Sequence, residues 1–92
     1  MNFFHVGIGF QGPTVSTDVV QNAIGSEPGW ARYAPNCWVV ASRVETAQTI
    51  ATRIRNVLAE ADTVFVVSID VNNSFGYLHK QVWDWIKQQA DA

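Results

Sequence analysis

From Thr63 to Val71 the chain reads Thr-Val-Phe-Val-Val-Ser-Ile-Asp-Val, almost continuously apolar and β-branched. Such a run predicts a strand, and one that is apolar on both faces belongs in the centre of a sheet or beneath a partner. Its period of two sets Phe65, Val67 and Ile69 on one face and Val64, Val66 and Ser68 on the other. The rest of the chain must therefore supply further strands, and something must cover the sheet.

A second strand signal lies at the start, where Phe4, Val6, Ile8 and Phe10 alternate with His5, Gly7 and Gly9. Gln11-Gly12-Pro13 breaks it. Thr14 to Ile24 carries Val15, Val19 and Ala23, with Val20 and Ile24, at helical spacing. Thr14 or Ser16 can cap that helix, Asp18 suits its positive end, and Gly25 ends it. Trp30 to Tyr33 and Cys37 to Ala41 are β-prone, and Ala34-Pro35-Asn36 between them predicts a hairpin turn. Ser42-Arg43-Val44-Glu45 matches a capping box. Ala47, Ile50, Ala51, Ile54, Val57 and Leu58 then form a helical stripe that excludes Arg53, Arg55 and Glu60. After the Thr63 strand, Asn72-Asn73-Ser74 is a loop. Leu78 to Gln89 predicts a last helix with Leu78, Val82, Trp85, Ile86 and Gln89 on one face.

Strand, helix, strand, strand, helix, strand is the split βαβ order. With right-handed crossovers it predicts a single α+β domain over residues 1–92: a ferredoxin-like βαββαβ antiparallel sheet, helices on one face, and an added C-terminal helix. The expected helix–sheet core is Phe4, Val6, Ile8, Ile50, Ile54, Leu58, Phe65, Val67 and Ile69. On that register Phe65→Ala would cost about 3–5 kcal/mol.

The chain has 92 residues, of which 48% are hydrophobic and only 15% charged, against about 25% charged in ordinary domains. So little charge implies that some apolar surface faces a partner. The expected contact is a homodimer, because Val64 and Val66 point away from the core beside Gly7 and Gly9. The candidate interface is His5, Gly7, Gly9, Val64, Val66, Ser68, Trp83 and Trp85, with the C-terminal helix either joining it or covering the strip within its own chain. A net charge of −2 argues mildly against a phosphate-gripping protein, and Trp30, Trp38, Trp83 and Trp85 read as protein-packing residues ahead of base-stacking ones. No segment reaches the ~20 apolar residues of a membrane span. The N-terminus lacks the features of a signal peptide, so a cytoplasmic protein is expected.

The run Asn36-Cys37-Trp38-Val39-Val40, the helix from Glu45 to Leu58 and the strand Ala61-Asp62-Thr63-Val64-Phe65-Val66-Val67 resemble the SinR-like small proteins. These are relatives of the short ferredoxin-fold nuclease of CRISPR spacer-acquisition systems. Phe75-Gly76-Tyr77-Leu78 through Trp83-Asp84-Trp85-Ile86-Lys87 is similar to that family's aromatic tail. The resemblance implies the fold, dimerisation and a role in bacterial or phage defence. It does not carry over the activity, because Gly9 stands where the nucleases hold a metal-binding Asp after the first strand.

Other constellations are thin. His5, Ser68 and Asp70 could share a face, but no nucleophile-elbow pattern supports a catalytic set, and a lone His on a sheet is ordinarily structural. Gly7-Ile8-Gly9-Phe10-Gln11-Gly12 matches G-x-G-x-x-G only superficially. Two of its glycines lie within a strand, where they make room for a bulky neighbour, and Pro13 intervenes. Asp70, Asn72, Asn73 and Ser74, with Asp84, lack the acidic density of a cation loop. The single Cys37 excludes an internal disulfide and reads as a buried thiol. The expectation is a non-catalytic binding or scaffold protein without cofactor or metal, the alternative being a small metal-dependent nuclease or other hydrolase.

Overall fold

A computed structural model describes residues 1–12, 16–25 and 27–92. The elements are β1 (Asn2–Gly9), α1 (Thr17–Ile24), β2 (Pro28–Ala34), β3 (Cys37–Ser42), α2 (Ala47–Arg55), β4 (Thr63–Ile69) and α3 (Lys80–Ala90), with a 3-10 turn at Val71–Asn73 before α3. The strands form one sheet in the order β2-β3-β1-β4, and β1–β3, β1–β4 and β2–β3 all pair antiparallel. This α+β arrangement has the strand order of a ferredoxin-like sheet, with α3 as an addition. The hairpin forms as its turn residues predict. Pro13, Thr14 and Val15 fall outside the described residues; of the two expected caps for α1, Ser16 serves, its Oγ accepting from Val19 N at 3.2 Å. Gly25 ends α1 at φ +20°, where a Cβ would stand 2.7 Å from the carbonyl oxygen of Asn22.

One face of the sheet holds the main core. Phe4, Val6 and Ile8 of β1 and Trp38 and Val40 of β3 pack against Val20, Ala23 and Ile24 of α1 and Ile50 and Ile54 of α2. The register of β4 corrects the face assignment. Val66 lies opposite Val6, and Val64 opposite Ile8, so both turn toward α1 and α2 and pack against the core. Phe65 and Val67 turn the other way, beside Gly7 and His5; Phe65 is 69% exposed. Slipping a strand by one residue exchanges its faces, and β4, apolar on both, does not encode the choice in its own period. The small β-branched valines fit under α2, and the Phe is turned outward. Moreover, β4 is an edge strand, so it does not occupy the sheet centre.

The capping box is also corrected. Helix α2 begins at Ala47, and Thr46 caps it, its Oγ1 accepting from Thr49 N at 3.2 Å. Ser42 Oγ instead accepts from Val44 N (3.3 Å) and Glu45 N (3.1 Å) where β3 ends. The Glu45 carboxylate is taken by Arg53, whose guanidinium also donates to the carbonyls of Ala23 and Ile24, the latter at 2.9 Å. A cation there complements the negative end of the α1 dipole and ties the last turn of α1 to α2.

Helix α3 lies on the opposite face of the sheet. Val82 and Ile86 bury against Phe3, Val39 and Ala41, with Trp83 and Trp85 packed at the margin of the same cluster. Of the two arrangements open to it, the helix therefore covers its own sheet, over β1 and β3.

Asp62 holds the entry to β4. It is 5% exposed, and its carboxylate accepts from Gln11 N (2.7 Å) and Ala59 N (3.0 Å). Asp62→Ala would leave both amides without their acceptor. It is expected to cost about 2 kcal/mol, read as a shift of the urea midpoint at unchanged slope; an unshifted midpoint would show that water replaces the carboxylate.

Candidate functional site

The polar groups of the second face meet around β1. His5 sits mid-strand with Val39 and Val67 as its cross-strand neighbours. A register shift in β2 between Arg32 and Ala34 accompanies the placement of Tyr33, whose hydroxyl lies 2.5 Å from His5 Nε2. The two rings are tilted by 50° with centroids 5.6 Å apart. Burial holds the His5 imidazole below its ordinary 6.5. Burial first, and then the neighbouring Cys37, push the Tyr33 hydroxyl up to about 12. The His5–Tyr33 hydrogen bond can run in either direction with the imidazole tautomer, and it leaves Nδ1 as the second ring nitrogen. Cys37, expected to be buried, is half-buried at the start of β3.

His5 and Tyr33 lie in the wall of a cavity of about 180 Å³ between the sheet and the C-terminal segment. Val39 and Ile69 form the sheet side, Leu78, Trp83 and Ile86 the helix side, and Val71 with Ser74 to Gly76 the loop side. At its rim, Phe75 is 88% exposed and packs edge-on against Tyr77, 93% exposed, with centroids 5.6 Å apart. A wider hollow along α2 is lined only by polar side chains, Gln48, Thr49, Thr52, Arg53 and Asn56.

Several expected groupings do not assemble. Ser68 lies opposite Phe4 and so shares the α1/α2 face, away from His5; the His5-Ser68-Asp70 set is not formed. Asp70 instead caps the turn after β4, accepting from Asn72 N at 3.0 Å, while Ser74 Oγ donates to the Asp70 carbonyl at 2.6 Å. Asp84 pairs with Lys80 on the surface of α3. Gly9, the position that fails to match the nuclease Asp, lies against Thr63, whose Oγ1 would be 2.5 Å from a Cβ there. Among the described residues no three His, Cys, Asp or Glu side chains group as metal ligands. Of the candidate interface, His5, Gly7 and Gly9 do lie on the second face, and Trp83 and Trp85 pack beside it. Val64, Val66 and Ser68 do not lie there. Phe65 and Val67 occupy that face of β4 instead, and Phe75 and Tyr77 are further exposed aromatics that the sequence spacing does not single out. The signal for the latter pair was present in Phe75-Gly76-Tyr77: two large aromatics in a polar loop with no periodic stripe to bury them.

The chain matches no family model, no curated protein and no solved structure. No helix among the described residues is long and apolar enough to cross a membrane.

The half-buried His5, its pKa lowered, makes stability pH-dependent. The unfolded chain takes up a proton near 6.5, whereas the native imidazole resists it, so the native state is favoured above that value and loses this contribution as pH falls through 6.5 toward the lowered native pKa. The melting temperature is expected to fall more between pH 7.5 and pH 5.5 for the unmodified protein than for His5→Phe, about these values of the His titration range. Parallel slopes for the two proteins would show that His5 is not the linked group.

Proposed function

We propose that this chain is a cytoplasmic, non-catalytic homodimeric binding or scaffold protein, with a role in bacterial or phage defence as its SinR-like features imply. The observation that carries the reading is the outward face of β4. Phe65 and Val67 stand exposed beside Gly7 on an edge strand, beyond the area that α3 covers. Each Å² of apolar surface left in water is unfavourable by about 25 cal/mol, and an edge strand offers unpaired N–H and C=O groups to a second strand. A two-fold axis makes such a strip self-complementary. With the axis at Val66, the middle of Thr63–Ile69, Phe65 of each copy meets Val67 of the other.

The basic residues favour a protein partner over nucleic acid. Arg32, Arg53 and Arg55 donate to carbonyls of their own chain, and Lys80 pairs with Asp84. These four belong to a total of only six Lys and Arg. Light scattering across a dilution series tests the dimer. A mass twice the 10.2 kDa chain is expected at micromolar concentration; a mass of one chain at the highest concentration would overturn it.

A further inference from the structure

The cavity behind Phe75 has a composition and a size that the dimer does not use, since Phe65 and Val67 are not among its lining residues. Its lining side chains are apolar except for the His5–Tyr33 pair, Ser74 and the indole N–H that Trp83 carries. The Ser74 hydroxyl is already engaged by the Asp70 carbonyl. No Asp, Glu, Lys or Arg contributes to the lining. A charged ligand would therefore lose its hydration without gaining a counter-charge, which strongly disfavours it. A fully apolar ligand would leave the pair's remaining hydrogen-bonding position dry and unused. That position belongs to the imidazole: Nε2 is taken by Tyr33, and among the described residues Nδ1 has no partner.

Size narrows the class. Drug-sized ligands occupy cavities of about 300–1,000 Å³, whereas an apolar cavity of about 150 Å³ holds one benzene. At about 180 Å³ this cavity suits one ring with a small substituent. Its rim is aromatic. Trp83 stands in the wall and Phe75 at the mouth, and Phe75 is largely exposed although it borders an apolar space. A ring in the cavity gives both side chains a face or edge to pack against.

We propose that this cavity binds a small neutral ligand made of one aromatic ring bearing one hydroxyl group, the ring among Ile69, Leu78, Trp83 and Phe75 and the hydroxyl on the free nitrogen of His5. Binding is by shape and one hydrogen bond, with no bond made or broken in the ligand. The site lies within one copy of the chain and does not depend on self-association.

The test is titration of the 15N-labelled full chain with p-cresol, toluene and benzoate, followed by amide correlation spectra. Saturable millimolar binding is the scale expected for so small a ligand. With p-cresol the shifts should centre on His5, Tyr33 and the segment from Val71 to Leu78, and benzoate should bind at least about tenfold more weakly. In His5→Phe the affinity for p-cresol should fall about tenfold while that for toluene is kept. Leu78→Trp, which fills the cavity, should abolish both, with the amide signals of β3 and α2 serving as the control for folding. The proposal is overturned if p-cresol produces no saturable shifts, if the shifts centre elsewhere, if benzoate binds as well as p-cresol, or if His5→Phe weakens toluene equally. Shifts of the same residues on simple concentration, without ligand, would assign the cavity to a second copy of the chain and would equally overturn it.

Discussion

Trp38→Ala is expected to remove about 3–5 kcal/mol of stability, the range for deleting a fully buried large aromatic side chain. Trp38 is 0% exposed near the start of the β3 strand, opposite Val6 and surrounded by the main core. Its indole also touches groups that alanine would abandon. Nε1 donates to Gln21 Oε1 at 3.4 Å, and the Arg32 guanidinium lies 5.5 Å from the ring centroid. A domain of this length has a total stability on the order of 5–14 kcal/mol. The substitution should therefore lower the melting temperature by about 20 °C and leave the protein marginal near 37 °C. Trp38→Phe, which keeps most of the volume, should recover more than half of the loss. A drop below about 5 °C for the alanine variant would mean that the core collapses into the space.

Phe65→Asp acts on the other side of the sheet and should do almost the reverse. Phe65 is 69% exposed in the single chain, so Phe65→Ala should leave the unfolding midpoint of the dissociated protein almost unchanged, within about 0.5 kcal/mol. The strand period alone, with Phe65 placed in the core, implies a loss of several kcal/mol. In the proposed dimer an Asp at this position puts a carboxylate from each copy into the apolar seam close to the two-fold axis. That should weaken the dimer by at least about 100-fold, the scale of losing an aromatic hot spot. Light scattering should then give the mass of one 10.2 kDa chain at concentrations where the unmodified protein gives two. A dimer that survives Phe65→Asp, with the same dissociation constant, would move the interface away from β4.

The contrast between these residues shows where the sequence is legible. β1 alternates large side chains with His and Gly, so its two faces can be told apart, and Phe4, Val6 and Ile8 lie where that pattern puts them. Trp38 shares its face with them through the β1–β3 pairing. β4 has no such contrast: valines or a Phe could equally face the helices, and only the register against β1 decides. Helix α2 was legible from its stripe, but its start was not. Ser42 and Glu45 have the residue types of a capping box, yet Arg53, eight positions further on, claims the carboxylate. The His5–Tyr33 contact was illegible for a different reason. The two residues are 28 positions apart and meet across the width of β3 through an irregularity in β2, which no local spacing encodes.

The sheet separates two groups of buried side chains that share no member: Phe4, Val6, Ile8, Trp38 and Val40 with α1 and α2, and Phe3, Val39 and Ala41 with α3. Along each strand, consecutive residues therefore answer to different demands. Substitutions at His5, Val39, Ile69, Trp83 or Ile86 can reshape the cavity without disturbing the packing of the first two helices. Changes at Val6 or Trp38 have no route to the cavity except through the backbone. The fold thus separates its durable part from its adaptable part at single-residue intervals. A lineage of such chains could change what its second face presents while the βαββαβ frame beneath stayed the same.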